Sequence, residues 1–455
     1  MNSSASFSAP LKYPAGFRAR RGLNWGFIGL LYNSYYMCRY NFSIANKSIS
    51  TEFGFSRADM GTIITTALLA YAFGQIINGL LTDKLGGKKA MLIGASGTIV
   101  MNILFGAISL LHTAGPGSQI QLTIFKSEIF LSFLSLFVVV RGIDGYLQAF
   151  GSPGMVKINT AWFAQTERGR FAGIFGFMIN LGRFGIFTLG PALLAGFVFL
   201  GMWRVPPLHW RWLFWVPAAI CAVVALGMAL TVKETPEAAG FDNAHGEKDF
   251  VETNSDVKAQ LSVVFKTIVT NPVVWITALA YACTGAVRQG VDQWFPRFME
   301  EVHHMDLKSP QFKFLGFLIP FVASGGSLIS GYISDTLFKG RRAPVAAGLY
   351  FVETVIILLA AQFHSANAAI IFLVLISLTA NSTHSILGTA AAMDIGGRKM
   401  AGFASGVIDS FQYFGGSLAG YFLGRMLDKS WDNYFYFMAP FGFLGGLLML
   451  TIRNK

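Results

Sequence analysis

Twelve apolar segments, each long enough to cross a lipid bilayer, dominate this chain of 455 residues. A spanning helix needs about 20 mainly apolar residues, because the hydrocarbon core offers no water to an open backbone. Only 13% of the residues are charged and 53% are apolar or aromatic, which is too little charge for a soluble surface. We therefore predict an all-α membrane protein. The predicted spans lie near residues 23–46, 59–81, 90–112, 128–151, 171–200, 211–232, 272–298, 311–335, 344–363, 368–394, 401–427 and 433–452.

A hydrophilic stretch, GFDNAHGEKDFVETNSDVKAQ, separates the sixth span from the seventh. The chain then divides into an N-terminal segment (1–22), a first six-helix half (23–232), a linker (233–271) and a second six-helix half (272–455). If the N-terminus lies in the cytoplasm, the cytoplasmic segments hold about twice as many Lys and Arg as the outward ones, which follows the positive-inside rule. We expect both termini to be cytoplasmic.

A sequence motif recurs at corresponding places in the two halves. GLLTDKLGGKK follows the second span and GYISDTLFKGRR follows the eighth, so both read Gly-x-x-[Ser/Thr]-Asp before a basic cluster. An embedded arginine, Arg39 or Arg288, precedes each motif at nearly the same spacing. Internal repeats of this kind are typical of secondary transporters. We infer two pseudo-symmetric copies of one six-helix unit.

The first motif resembles the signature loop of the major facilitator superfamily. That resemblance implies the twelve-helix major facilitator fold, and it implies that the loop residues hold helix ends together and gate the movement of the halves. Asp83 is expected to cap the N-terminus of a neighbouring helix. The residues with this structural and gating role are Gly79, Asp83, Lys84, Gly86, Asp335, Arg341 and Arg342.

Further segments are similar to the organophosphate:phosphate antiporter family within that superfamily. They are YNSYYMCRYNFSIA in the first span, the stretch from Gln148 to Gly169, VRQGVDQW in the seventh span, and SDTLFKGRR and AGFASGVIDSFQYFGGS further on. This family exchanges sugar phosphates or glycerol 3-phosphate for inorganic phosphate. The resemblance implies that Arg39 and Arg288 bind the phosphate group.

Both arginines lie deep in their spans, roughly 21 Å from one end at about 1.5 Å per residue. An intramembrane arginine costs about 2.5–3.5 kcal/mol on insertion scales, so a partner must offset that cost. Asp292, one turn from Arg288, is one candidate partner. A phosphate dianion is the other, because the planar guanidinium suits bidentate binding of phosphate. Candidate donors to substrate oxygens flank Arg39 in the first span: Tyr32, Tyr35 and Tyr36. Ordinary packing explains any one of these tyrosines equally well.

The chain departs from the family pattern at positions expected to line the cavity. Gln75 stands where family members carry a lysine, and Ile179 where they carry a histidine. Ile408, with Asp409 beside it, replaces a lysine of the hexose-phosphate carriers. Arg183, one turn beyond Ile179, adds a positive group. Together with Gln75 and Asp292, it completes the predicted substrate-binding residues. Phosphate recognition is retained in this interpretation, while the organic group and the proton dependence stay open.

Arg141 and Asp144 lie three residues apart in the fourth span, within RGIDGYLQ. Side chains at this spacing meet on one helix face. We expect a buried structural ion pair.

We predict a secondary active transporter of a bacterial inner membrane that exchanges an organophosphate for inorganic phosphate by alternating access. Its partners are then a small phosphate-bearing anion and the lipid bilayer, and we expect a monomer that binds no nucleic acid. The sequence has no P-loop, nucleophile elbow or His/Cys cluster, so we expect no enzyme activity, cofactor or metal. Two alternatives remain, a transport-fold sensor of external sugar phosphate and a carrier of a non-phosphorylated organic anion.

Overall fold

A computed structural model describes residues 13–111, 119–124, 127–163, 168–199, 201–241, 270–338 and 341–453. Within them the chain forms long α-helices and two short antiparallel β-hairpins. The helices before the linker are α1 (Phe17–Phe53), α2 (Arg57–Leu85), α3 (Gly87–Ala107), α4 (Phe133–Gln148), α5 (Gly151–Trp162), α6 (Arg168–Ala195) and α7 (Trp212–Thr231). Those after it are α8 (Pro272–Glu301), α9 (Pro310–Thr336), α10 (Arg342–Ala360), α11 (Ala366–Ser385), α12 (Ala392–Lys429) and α13 (Asn433–Thr451).

Short elements connect these helices. They are 3-10 helices at Ile108–Leu110 and Glu237–Ala239, a π-helix at Ile386–Ala391, and the strands β1 (Gln119–Ile124), β2 (Ser127–Ser132), β3 (Phe197–Phe199) and β4 (Trp203–Val205). β1 pairs with β2, and β3 pairs with β4.

The predicted fold class is confirmed. α4 and α5 together make one span, so the described ranges hold six spans before the linker and six after it. Nine of these spans are long and apolar enough to cross a membrane by length and composition alone. The other three are α1, α8 and α12, which carry Arg39, Arg288 and Asp409, respectively.

Three predicted boundaries are wrong. The fourth span does not begin at residue 128, because residues 127–132 form β2. The fifth does not reach residue 200: α6 ends at Ala195, followed by Gly196 in the left-handed conformation with φ +77°, and residues 197–199 form β3. The tenth and eleventh predicted spans leave a connecting segment between residues 394 and 401, but this segment is part of α12. A short apolar run does not by itself distinguish a strand from the end of a helix.

Local sequence signals set where several helices begin. α2 starts with a capping box, in which the Ser56 hydroxyl accepts from the Asp59 amide at 3.0 Å and the Asp59 carboxylate accepts from the Ser56 amide at 2.9 Å. Asn271 caps α8 and Ser309 caps α9, and a proline with a helix-compatible φ follows each cap. The cap of α8 thereby sets the depth at which Arg288 lies.

Glycines let helices from the two halves approach closely. At Gly61 of α2, an added Cβ would lie 2.2 Å from the carbonyl oxygen of Gly420 on α12. Within the second half, a Cβ at Gly285 of α8 would lie 1.8 Å from the carbonyl oxygen of Gln412, also on α12. Small residues at such contacts are typical of membrane helices, which associate by close packing. α12 is therefore packed between α2 and α8.

Charged side chains join the two halves at one end of the bundle, which we call the Glu301 end. Glu301 of α8 accepts hydrogen bonds from Arg57 of α2 and from Arg297 of its own helix, each at 2.6 Å. The Asp428 carboxylate of α12 accepts from the backbone amides of Arg57 and Ala58 at 2.7 and 3.0 Å, which caps the N-terminus of α2. These contacts hold the Glu301 end closed.

The signature-loop residues lie at the opposite end of the bundle, which we call the Asp83 end. The exposed Asp83 carboxylate accepts from Lys157 of α5 at 3.1 Å. Glu234 caps α3 instead, since it accepts from the backbone amides of Gly87 and Lys88 at 2.5 and 2.8 Å. The prediction that Asp83 caps a neighbouring helix is wrong. α2 continues through Asp83 to Leu85, and the Asp83 side chain projects sideways from that helix.

The remaining loop residues fit a connection between helices. Gly86 has φ +85°, which favours glycine, and ends α2 one residue before α3 begins. Gly79 has open space where a side chain would stand, and Lys84 and Arg341 are exposed. Arg342 opens α10, and the side chain of Asp335 lies outside the described residues. The gating role of these residues stays a prediction.

The contact of α2 with α12 predicts the effect of one methyl group. In Gly61→Ala the new Cβ meets backbone, which cannot swing aside, so we expect destabilisation of about 1–3 kcal/mol. The measurement is the thermal unfolding midpoint of the detergent-purified protein, followed by tryptophan fluorescence. Gly348→Ala on α10 is the control, because nothing lies within 4 Å of its added Cβ. Equal midpoints for the two variants would contradict the close approach.

Candidate functional site

The predicted site draws its side chains from both sides of the linker. α1 carries Tyr32, Tyr36, Arg39 and Tyr40, whose spacing places them along one helix face. The ring of Tyr36 lies 5.5 Å from that of Tyr32 and 5.9 Å from that of Tyr40. α8 contributes Arg288 from the second half. All five side chains are more than nine-tenths buried.

Arg39 is enclosed by aromatic rings. Its guanidinium carbon lies 4.2 Å from the ring centre of Tyr71 and 4.7 Å from that of Tyr36. Nε donates to Gln148 at 3.0 Å, and Nη1 donates to the Tyr413 hydroxyl at 3.0 Å. Nη2 is buried and has no hydrogen-bond partner in the described part of the chain. The rings stabilise the cation, and one donor remains for a further acceptor.

Arg288 is less well paired than Arg39. Its Nε is buried without a hydrogen-bond partner among the residues described, and the Asp292 carboxylate stands 3.9 Å away, beyond hydrogen-bond distance. Tyr36 and Tyr413 lie within electrostatic range of both Arg39 and Arg288. The two arginines therefore share these aromatic neighbours, although they belong to different halves.

A buried ion pair joins α6 to α8. Arg183 Nη2 donates to Asp292 Oδ1, and these side chains are 0% and 1% exposed. Tyr40 donates to Asp292 Oδ2 at 3.2 Å, and Asn180 accepts from Arg183 at 3.1 Å. The expected partnership of Asp292 with Arg288 is thus present only as the 3.9 Å contact. Arg183, predicted to add a positive group to the cavity, lies directly against Asp292.

A polar cluster links α2, α8, α11 and α12. Asp409 accepts from the Gln75 amide at 3.1 Å and from the Tyr281 hydroxyl at 3.4 Å. The same Tyr281 hydroxyl is hydrogen-bonded to Nδ1 of His384. Gln75 also donates to the Tyr71 hydroxyl at 3.0 Å. Gln75, predicted as a substrate ligand, therefore directs both amide protons to protein groups.

The three predicted tyrosines of α1 are not equivalent. Tyr32 and Tyr36 lie within electrostatic range of Arg39, which suits donors to a shared anion. Tyr35 instead donates its hydroxyl proton to the backbone carbonyl of Met91 on α3. Its predicted role in substrate binding is corrected accordingly, since its position on the helix turns it toward α3.

Arg141 and Asp144 form the predicted pair, at 2.8 Å, and both are buried. Arg141 also donates to the backbone carbonyls of Cys38 and Arg39, at 3.1 and 2.5 Å. The Asp144 carboxylate accepts from Gln148, whose carbonyl oxygen in turn accepts from Arg39. α4 thus supports Arg39 at both its backbone and its side chain.

Sequence reasoning missed Tyr71, Tyr413 and Gln148 as partners of Arg39. A signal was present for the first two: Tyr71 lies one helical turn before Gln75, and Tyr413 lies one turn after Asp409. Residues one turn from an embedded polar residue share its helix face. Gln148, one turn after Asp144, carried the same signal, although its contact with Arg39 depends on how α1 and α4 pack.

The fixed charges at the centre of the bundle leave a positive excess around two arginines. Arg183 is balanced by direct contact with Asp292. Arg39 and Arg288 have Asp409 within electrostatic range, but none of the ion pairs formed among described residues joins either of them to it. The surroundings of Arg39 and of Arg288 therefore favour an anion.

The site lies beneath the closed Glu301 end. A cavity beside Arg39 is lined by residues of α1, α2, α4, α8 and α12, among them Tyr71, Gln148, Gln293 and Tyr413. On the Glu301 side of the site, Thr65 of α2 donates to the backbone of Ser417 on α12 at 3.1 Å. The cross-half contacts named above all lie between the Glu301 end and the level of Gln75 and Asp409.

Comparison with known proteins adds relatives along nearly the whole chain. The "Probable hexose phosphate transport protein" of Chlamydia pneumoniae is 26% identical over 94% of this chain and 90% of its own. The "Glycerol-3-phosphate transporter" of Bacillus subtilis is 26% identical over 90% and 87%, and the "Membrane sensor protein UhpC" of Escherichia coli is 26% identical over 94% and 91%. The family resemblance predicted from the motifs is confirmed, since proteins of hexose phosphate and glycerol 3-phosphate transport are among these relatives.

Solved structures share the fold at low sequence identity. A bacterial homolog of the human lysosomal transporter Spinster, in an inward-facing and unoccupied conformation, is 16% identical with a TM-score of 0.69 over 96% of this chain and 99% of its own. A D-xylose–proton symporter is 13% identical with a TM-score of 0.69 over 95% and 97%. The Major Facilitator Superfamily matches over residues 28–420. The arrangement of twelve spans, the sequence match and the likeness of fold agree, and the chain belongs to the Major Facilitator Superfamily.

Proposed function

We propose that this chain is a secondary transporter that exchanges an organophosphate, such as a sugar phosphate or glycerol 3-phosphate, for inorganic phosphate. The observation that carries the proposal is the state of Arg39 and Arg288. Each is more than nine-tenths buried, and each has a buried N–H group without a partner among the described residues. For neither arginine does a described carboxylate stand at hydrogen-bond distance.

A bound phosphate group accounts for both unpaired donors. A buried cation without a counter-ion is strongly unfavourable, and truncating one partner of a buried ion pair costs about 3–5 kcal/mol. A phosphate ester supplies negative charge and several acceptor oxygens, which the planar guanidinium binds in pairs. Tyr32 and Tyr36 stand beside Arg39 as further donors. One phosphate held between Arg39 and Arg288 would then bridge the two halves.

The relatives support the same class of cargo. Two of those reported above are named for hexose phosphate and glycerol 3-phosphate transport, and the match covers nearly the whole chain. Membership of a transporter superfamily also supports a transport role over an enzymatic one. We infer a small anionic substrate and a lipid bilayer as the partners, and a monomer as the working unit.

The arrangement of charges supports exchange by alternating access. In the opposite state, the contacts at the Glu301 end would separate and the Asp83 end would close around the same central site. Without an anion, Arg39 and Arg288 would be enclosed uncompensated, so the empty carrier would reorient slowly. A bound phosphate removes that barrier. Inward movement of the ester is then coupled to outward movement of phosphate.

The orientation completes the proposal. We place both termini in the cytoplasm of a bacterial inner membrane, because the basic residues concentrate in the segments at that side. The Glu301 end then faces outward, and the conformation described here is closed toward the outside.

A second candidate function is sensing of external sugar phosphate. The observation that favours it is that a membrane sensor protein matches this chain at the same 26% identity as two transporters. The binding site would be the same in both roles, and only a carrier would move substrate at an appreciable rate. A carrier of a non-phosphorylated organic anion, in contrast, would not be inhibited by inorganic phosphate.

Replacing either arginine tests the site. Arg39→Lys and Arg288→Lys keep the charge but remove the bidentate geometry of the guanidinium. We expect phosphate exchange to fall roughly 10–100-fold, because a charged hydrogen bond contributes about 1.5–3 kcal/mol. The measurement is uptake of labelled phosphate into proteoliposomes loaded with phosphate. Arg425→Lys is the matched control, because Arg425 lies on α12 near the Glu301 end and stacks on Tyr421. Full exchange in both site variants would rule out the assignment.

The coupling itself has a separate test. We expect labelled phosphate to enter liposomes that contain phosphate or hexose 6-phosphate at least about tenfold faster than empty ones, because the unoccupied site resists closure. Protein-free liposomes give the background. Equal uptake into loaded and empty vesicles would contradict obligatory exchange. If neither kind of vesicle takes up labelled phosphate, the sensor is favoured. Uptake of a non-phosphorylated organic anion that inorganic phosphate does not inhibit would favour a carrier of such anions.

A further inference from the structure

Asp409 differs from the other carboxylates at the centre of the bundle. Asp292 and Asp144 each accept a hydrogen bond from an arginine, and they are 1% and 2% exposed. Asp409 accepts from the neutral groups of Gln75 and Tyr281 and remains partly exposed. A carboxylate has acceptor capacity for about four hydrogen bonds. Asp409 therefore keeps unused acceptor capacity.

The position of Asp409 is set by helices of both halves. α12 carries the carboxylate, Gln75 of α2 holds one of its oxygens, and Tyr281 of α8 holds the other. Both Arg288 and Arg39 lie within electrostatic range, although neither forms an ion pair with it in the described part of the chain. Gln75 also donates to the hydroxyl of Tyr71, whose ring centre lies 4.2 Å from the Arg39 guanidinium carbon, so a chain of contacts joins Asp409 to the surroundings of Arg39.

Neutral donors fix this carboxylate without cancelling its charge. Gln75 and Tyr281 orient the two oxygens, and His384 of α11 meets the carboxylate only through the hydroxyl of Tyr281. In a site of low dielectric, a second negative charge placed beside Asp409 meets strong repulsion. A hydroxyl group in the same place would donate a hydrogen bond to an acceptor that is already oriented.

We propose that Asp409 is a specificity-determining residue. It accepts a hydrogen bond from a hydroxyl group on the organic part of the substrate, and it excludes phosphate esters whose organic part carries a second negative charge. This inference rests on the proposed function, in which Arg39 and Arg288 hold the phosphate end. The substrates are then phosphate monoesters of sugars and polyols, and phosphoglycerates are rejected.

Two three-carbon phosphate esters form a matched pair of probes. Glycerol 3-phosphate and 3-phosphoglycerate differ in that a hydroxymethyl group of the first is a carboxylate in the second. The full chain is reconstituted in phosphate-loaded liposomes, and each ester is titrated as an inhibitor of labelled phosphate uptake. For the wild type we expect 3-phosphoglycerate to need an at least tenfold higher half-inhibitory concentration, because like charges in close contact are strongly unfavourable.

The variants then assign that selectivity to one residue. Asp409→Asn keeps the shape and removes the charge, so we expect the ratio of the two half-inhibitory concentrations to fall at least about fivefold, as repulsion is lost. Glu353→Gln is the control: it replaces another buried carboxyl group of the second half by an amide, at a position that accepts from Thr379 at 3.4 Å outside the site, and the ratio should not change.

A second variant acts through the neighbour of Asp409. Gln75→Lys places a cation against the Asp409 carboxylate and should also lower the ratio of the two half-inhibitory concentrations. It therefore tests the inference if Asp409→Asn does not fold. A wild-type ratio near one would overturn the inference while leaving phosphate exchange intact. A ratio that stays high in both variants would overturn it as well. Failure of glycerol 3-phosphate to inhibit at all, by contrast, would count against the proposed function.

Discussion

The burial of arginine charge inside an apolar helix bundle is the constraint around which this structure is arranged. Lipid offers no water to solvate a guanidinium, so each one needs protein partners or a ligand. Among the described residues, four embedded arginines differ in the partners that compensate their charge. Arg141 and Arg183 have carboxylates in direct contact, while Arg39 has aromatic faces and neutral acceptors, and Arg288 has a single distant carboxylate. A carboxylate thus lies at hydrogen-bond distance from Arg141 and Arg183, and no described carboxylate does so for Arg39 or Arg288.

Asp292 connects that central site to the relative position of the halves. Its two oxygens receive Arg183 from α6 and Tyr40 from α1, both in the first half, while Asp292 itself is in the second. Arg288 stands 3.9 Å away on the same helix. Any rotation of one half against the other must therefore change the surroundings of Asp292, and through them the field around Arg288. In the proposed mechanism, substrate binding and reorientation thus act on the same group of side chains.

Close helix packing makes these polar contacts feasible. Membrane helices gain little from hydrophobic association, so contact depends on backbone approach at small residues. Gly61 and Gly420 let α2 approach α12, and the same two helices then bring Gln75 to Asp409. The polar cluster at the centre consequently depends on two glycines several turns away. Charged contacts at Glu301 complete the same interface at its end.

The sequence by itself determined the twelve spans, because hydropathy is a local property of the chain, and it predicted the repeat and the depth of Arg39 and Arg288 from motif spacing and rise per residue. Its errors at residues 128–132 and 196–200 arose where a short apolar run fits strand and helix equally well. Only the tertiary structure decided which charges pair. Asp292 is one turn from Arg288 in sequence, yet it bonds Arg183. Tyr35 stands beside Tyr36, yet it faces Met91. Pairing depends on which helix packs against which face, and that information is distributed over residues far apart along the chain.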